Sequence, residues 1–352
     1  MFRTTRFKPP QFRKALPVLS LCLGLFAAAA NAAGGTSLFI EDWPLEMDLF
    51  LDLKELCRKG DRPICQDVSA RLSYSLDGQR NRDIPVQVRT RGTWRLRRDI
   101  CMVPLLFLIF PEDQTEGTLF AGQDMLPLTT HCSSRYGRDT DYVLKEYLAY
   151  RIYQLLSEKS VRVRLVYIRY RKPAEKKLPD RHYGFLNEHF LSVAARNGAE
   201  LWKTESFDPT QLNPSEMATM ELFQYMIGNT DFSALAQHNI MLLRAPDGRI
   251  TPLPYDFDFS GLVDADYAGP PPDLGLHSVR QRLYRGFCHP GLDWDALFQK
   301  FRDKRMQVFE LLESTPGLSK KAQKFTLNYL KKFYEILDSP KKRQKKIVDS
   351  CR

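Results

Sequence analysis

The chain has 352 residues and a formal net charge of +10. Arg3, Arg6, Lys8, Arg13 and Lys14 lie within the first 32 residues, which hold no acid, so the rest carries 10 − 5 = +5. That mild balance, with basic clusters only at 89–98 and 341–346, argues against a nucleic-acid binder, which needs a basic face interleaved with aromatics.

Residues 1–32 read as an export signal. The five basic residues are followed by an apolar run over 15–30, and Ala30-Asn31-Ala32 fits the small-residue cleavage rule. The run is short of the ~20 residues a membrane span needs, and no later stretch is long and apolar enough, so no stable membrane span is expected. The expectation is a periplasmic or extracellular protein. Six cysteines remain after cleavage (Cys57, Cys65, Cys101, Cys132, Cys288 and Cys351), an even number that in an exported chain predicts disulfides. Cys57 and Cys65 bracket a short polar loop and are the first expected pair.

Short alternating runs from Gly35 to Phe110 predict strands, among them 70–74 and 86–88. The segment 86–110 reads as a strand, a basic turn marked by Gly92, and a buried strand. Leu144, Leu148, Ile152 and Leu155 recur at the helical period and predict a helix over 141–157. Residues 161–170 and 183–190 read as a hairpin. Asn213-Pro214-Ser215-Glu216 marks a helix start with a capping box, and Gly228 marks its end. After a Pro- and Gly-rich loop at 264–276, residues 293–345 are mostly helical, broken at Pro316-Gly317 and at Pro340.

The chemistry gathers at 228–261. Asp247-Gly248 between two apolar runs predicts a two-residue hairpin turn. That register sets Asn239 opposite Asp256, with Asp258 on the same face. Hard oxygen donors at this spacing suit Mg²⁺, which takes one or two carboxylates and completes its shell with phosphates and water. Asp231, just past the helix end, is placed to accept a hydroxyl proton, with His238 available to orient it. A calcium-stabilised structural protein using Asp256, Asp258, Asp264 and Asp266 is a weaker reading, because calcium needs more oxygens than a hairpin supplies. There is no GxSxG, Walker loop or GxGxxG.

G-N-T-D…H-N…P-Y-D-F-D at 228–258 resembles the kinase core of the spore coat protein H (CotH-like) family. Further stretches follow in the same order: R-G-T-W at 91–94, the helix 142–156, Y-G-F-L-N-E at 183–188 and L-W-K at 201–203. The resemblance spans roughly 86–262. It implies an α+β, two-lobed, atypical protein-kinase-like fold, with a β-rich N-lobe and a mainly helical C-lobe. The expected organisation is a β-rich segment over 33–85, a kinase core over 86–313 and a helical extension with a basic tail over 314–352. By motif match, Asp231 is the catalytic Asp and Asp256 the metal-binding Asp, with His238 and Asn239 matching the family's H-N and Asn239 a second metal ligand. The expected site adds His238 beside the catalytic Asp, Asp258 at the metal, and Lys145, Glu146, Glu188 and Lys203 as candidates at the nucleotide. The implied cofactors are ATP with Mg²⁺ or Mn²⁺, and the implied partner is a protein or other hydroxyl-bearing acceptor. Residues 97–101 depart from the family's Lys-rich segment. The phosphate-gripping cation is therefore left among Arg95, Arg97, Arg98, Lys145 and Lys203, and a noncatalytic nucleotide-binding protein is the alternative.

Overall fold

A computed structural model of the chain describes residues 37–57, 67–76, 78–111, 113–132, 138–172, 178–204 and 209–352. The expected export signal and Cys65 lie outside the described residues. Two disulfides, Cys101–Cys132 and Cys288–Cys351, fit a non-reducing compartment. No helix among the described residues is long and apolar enough to cross a membrane.

The first strands are β1 (Leu45–Phe50), β2 (Val68–Leu76), β3 (Gln79–Arg80), β4 (Ile84–Arg91), β5 (Leu105–Ile109) and β6 (Met125–Thr129). Helix α1 (Arg138–Leu156) and the hairpin of β7 (Val163–Arg171) and β8 (His182–Asn187) follow. Pairing runs β1-β7-β8-β6-β5-β4-β2, and β2 pairs back to β1, so seven strands close into a mixed barrel with β3 as a short arm on β2. Among the described strand pairs of the barrel, only β1–β7 is parallel. Closure leaves no long open edge. Strand alternation sends Leu45, Met47 and Leu49, then Ile84, Val86 and Val88, then Leu106, Leu108, Leu126 and Leu128 into one fully buried cluster.

This arrangement overturns the two-lobed kinase-like fold expected from the sequence. The β-rich part is a closed barrel, and it draws in residues on both sides of α1. The physical reason is long-range closure: Leu45 pairs with Val166, and no local pattern in either strand names its partner.

A second cluster joins the barrel wall to the rest of the chain. Val163 and Leu165 of β7 and Phe185 of β8 pack on α1, and α1 packs on α3 (Pro214–Ile227) and on α5 (Arg305–Ser314). Helix α1 is consequently buried on every side rather than along one stripe. Short α2 (Phe190–Arg196) leads into a three-stranded sheet of β9 (Glu200–Trp202), β10 (Ile240–Arg244) and β11 (Ile250–Pro254), ordered β11-β10-β9. The helices α4 (Trp294–Asp303), α6 (Lys320–Asp338) and α7 (Pro340–Lys346) complete the chain.

Helix α3 starts and stops where its sequence says, with one difference. The Asn213 side chain accepts hydrogen bonds from the Ser215 and Glu216 N–H groups, and Gly228 ends the helix at φ 65°. No capping box closes, because the Asn213 N–H donates to the Ile250 carbonyl and Glu216 instead accepts from the Ser157 hydroxyl.

Candidate active site at the open end of a hairpin

The β10–β11 hairpin forms, but one residue out of the expected register. Ile240 faces Pro254, and the Tyr255 N–H donates to the Asn239 carbonyl at 3.1 Å, so Asn239 stands opposite Tyr255 and not Asp256. Pro246 explains the shift. Its fixed φ favours a type I turn, and the loop becomes Pro246-Asp247-Gly248, closed by Gly248 N–H to Ala245 O with Gly248 at φ 83°. A one-residue slip would normally turn a side chain to the other face. Here Asn239 and Asp256 both leave the strand conformation, at φ 54° and 60°, and Gln237 does so at 48°. This region is uncommon for residues with a side chain, least so for Asn and Asp, and such conformations gather at functional sites.

Asp231, His238 and Asn239 come together. The Asn239 amide donates to the Asp231 carbonyl at 2.8 Å and to Asp231 Oδ2 at 3.1 Å. His238 Nε2 lies 3.0 Å from Asp231 Oδ1. With its nitrogen so engaged, Asn239 keeps Oδ1 as the atom that could meet a cation. The Asn229 side chain accepts from the Asp231 N–H, and Arg285 donates to the carbonyls of Thr230 and Phe232 on either side of Asp231. The loop is thus held from three directions, with the Asp231 carboxylate still partly exposed.

Asp256 and Asp258 are aimed by the residue between them. Phe257 is fully buried, its ring 4.6 Å from Tyr150 and 5.3 Å from Phe223. The Asp256 N–H donates to the Tyr150 hydroxyl at 2.9 Å, and Asp258 accepts from the Tyr267 hydroxyl at 3.0 Å. Glu146, one turn before Tyr150 on α1, completes the acidic group. Burial first, and then the charge of Asp256, pushes the Asp258 carboxyl up to about 8. Burial, Asp258 and Asp256 together push Glu146 well above the usual carboxylate range, while Arg95 and Arg91 oppose the rise. Glu146 and Asp258 are thus two buried carboxyls facing the charge of a third, Asp256. Among the described residues, no group of three or more His, Cys, Asp or Glu side chains is arranged to hold a metal ion by itself.

Of the cations left open by the sequence, Arg95 is the one beside the acids; it is buried and donates to the Thr130 carbonyl. Arg97 pairs with Asp99, and Arg98 lines a separate cavity at the barrel rim. Lys145 lies apart from Glu146, donating to the Val263 carbonyl and sitting 5.2 Å from both the Tyr142 and Phe325 rings. Lys203 lines an open groove of ≈ 560 Å³ that shares Tyr255 with a more enclosed cavity of ≈ 90 Å³. That cavity is lined by Phe107, Tyr150, Phe190 and Tyr255 and ends on Arg91, Glu146 and Asp256. Glu188 also lines it, but its carboxylate is bound to Arg196 at 2.8 and 3.0 Å. Asp264 and Asp266 are each paired with an arginine, Arg280 and Arg138.

Arg91 is the functional candidate that sequence reasoning missed. It closes β4, donates to the Thr129 hydroxyl at 2.9 Å, and feels the charges of Asp256 and Glu146. The available signal was an arginine ending an alternating strand just before Gly92.

Comparison with known protein families finds no match, and none of the curated proteins matches. Among solved structures, the chain is similar to a proinflammatory kinase of Helicobacter pylori, CtkA, at 12% identity and a TM-score of 0.37, over 70% of this chain and 89% of that one. That likeness is too slight to carry a fold or a residue's role across.

Proposed function

We propose that this chain transfers a phosphoryl group from ATP, with Mg²⁺ or Mn²⁺, to a hydroxyl group on a protein or another acceptor. The observation that carries the reading is the junction of two groups at one hairpin end: an Asp231 carboxylate oriented by His238 and Asn239, and the carboxyls of Asp256 and Asp258. Two carboxylates and an amide oxygen are a fitting donor set for a small hard cation whose remaining ligands are phosphate and water. Asn239, Asp256 and Asp258 would hold it. When bound, such an ion neutralises charge on the phosphate oxygens.

The chain's own residues supply the rest. Asp231 accepts the acceptor hydroxyl's proton, and its hydrogen bonds to His238 and Asn239 hold the carboxylate in one orientation. Arg91 and Arg95 set positive charge against the acids where the phosphates would approach. The aromatic cavity beside Asp256 and the adjoining groove with Lys203 give an apolar base and a charged tail different places to lie.

The chain is incubated with labelled ATP and either ion, beside Asp231→Ala and Asp256→Ala. Transfer should fall ~10²–10⁴-fold in Asp231→Ala, and metal-dependent nucleotide binding should be lost in Asp256→Ala. A parent that neither transfers phosphate nor binds nucleotide with metal sinks the reading. One observation favours the noncatalytic alternative: Glu188 and Lys145, expected at the nucleotide, are engaged by Arg196 and the Val263 carbonyl. Nucleotide binding without transfer would decide for it.

A further inference from the structure

A groove of ≈ 530 Å³ opens between α6, α7 and the segment 282–284. Its floor is apolar, formed by buried Tyr225, Tyr284 and Ile336 with Leu283. Its rim carries Lys332, Lys342, Lys345 and Lys346, all exposed, with Glu335 as the one acid. None of the four ammonium groups has an ion pair among the described residues, although neighbouring Arg343 is paired with Asp295. Four like charges around one concavity repel one another and favour an anionic occupant.

We propose that this groove docks an acidic polypeptide segment, and that the segment belongs to the phosphate acceptor. This rests on the reading of Asp231 as the group that takes the acceptor's proton. The concave shape and apolar floor suit an extended peptide carrying apolar side chains among its acids, whereas a flat bilayer surface could not enter. Nucleic acid would look for exposed aromatic rings to stack on, and both tyrosines here are buried.

The second argument is continuity with the site. Arg282, in the groove wall, donates to the Met226 and Tyr329 carbonyls, its guanidinium 3.8 Å from the Tyr329 ring. Three residues on, Arg285 clamps the carbonyls flanking Asp231. Three residues span at most ~11 Å, so the groove wall and the arginine that holds the Asp231 loop belong to one short segment. The same segment is anchored below by Glu221, which accepts from the Phe287 N–H at 3.0 Å and lies 2.7 Å from His289 Nε2.

The test uses a labelled 15-residue peptide of glutamates with two leucines and one serine. The parent is compared with a variant carrying Lys332→Gln, Lys342→Gln, Lys345→Gln and Lys346→Gln, and with the charge-reversed Lys342→Glu/Lys346→Glu. Binding is read by fluorescence anisotropy without nucleotide, over a salt series. The parent should bind, more weakly as salt rises, and each variant should weaken binding at least ~10-fold while circular dichroism stays unchanged. Equal binding by parent and variants, or no binding by the parent at low salt, overturns the proposal. So does lysine-dependent binding of phosphatidylglycerol vesicles in place of the peptide. With ATP added, the lysine variant should keep nucleotide binding but raise the peptide's KM. Lysine-dependent binding of a peptide that the parent never phosphorylates would sink the phosphoryl-transfer reading and, with it, the acceptor assignment; the groove itself would stand.

Discussion

In the barrel, the inward residues of β1, β4, β5 and β6 are aliphatic, and the polar groups buried at the rim bond one another, as the Tyr170 and Thr130 hydroxyls do at 2.7 Å. At the hairpin, two carboxyls, Glu146 and Asp258, are packed where burial raises them, and three non-glycine residues sit at positive φ. No barrel strand holds such a residue among those described. The barrel's inward positions are almost wholly apolar, whereas the hairpin end gathers carboxyls and positive-φ backbone at one place. Core packing and the candidate site are thus concentrated in different parts of this chain, joined at Arg91 on the end of β4, and substitutions should separate them.

The largest separation is expected at the Cys101–Cys132 disulfide, which closes a 31-residue stretch at the barrel rim. The double Cys→Ser variant should lose about 3 kcal/mol of stability in denaturant unfolding. Any ATP turnover measured well below its melting temperature should persist. Because the closed stretch leads out of the turn carrying Arg95, a turnover loss exceeding tenfold in a folded variant would show that the staple also sets the site.

A smaller effect follows from His131, buried and stacked on His182 with ring centres 3.7 Å apart. Burial, then His182 and Arg95, push its imidazole down to about 3 from an ordinary 6.5. A folded value below the unfolded one means the contribution is fully present above about 6.5 and is lost as pH falls toward 3. Between pH 6.5 and 5 the loss is about 2 kcal/mol. His131→Gln should flatten that part of the stability profile without altering nucleotide binding. An unchanged slope would show that His131 does not carry it.

How far the sequence disclosed these two regions differs for the same physical reason. Local signals were readable: the Asn213 cap, the stop at Gly228, the strands over 86–110 and the β7–β8 hairpin. Asp231, His238 and Asn239 were legible as a group because they lie within nine residues. Barrel closure was not, since strands 121 positions apart carry no mark of each other in Leu45 or Val166. The hairpin register failed on one residue, Pro246, which makes a three-residue loop from what Asp247-Gly248 alone suggested. Arg91 and Arg95 become cations of the acidic cluster only when the barrel brings the end of β4 against α1, and no spacing in the chain encodes that meeting.

The smallest expected change is also the sharpest test of the contrast. Asp258 has a folded pKa pushed up to about 8, against an ordinary 3.8. Its raised value means the folded chain holds a proton that the unfolded chain releases, so stability is lost as pH rises from about 4 to about 8. Asp258→Asn keeps the shape and removes the titration. It should be more stable than the parent by about 1 kcal/mol near neutrality, with the advantage widening between pH 5 and pH 8 in paired unfolding curves. The same variant should lose metal-dependent nucleotide binding, if Asp258 holds the ion as proposed. A stability gain with loss of binding is the signature of a group kept for its ligand. A stability loss at every pH would mean that the bond from the Tyr267 hydroxyl outweighs the repulsion from Asp256, and that the acidic cluster is part of the scaffold after all.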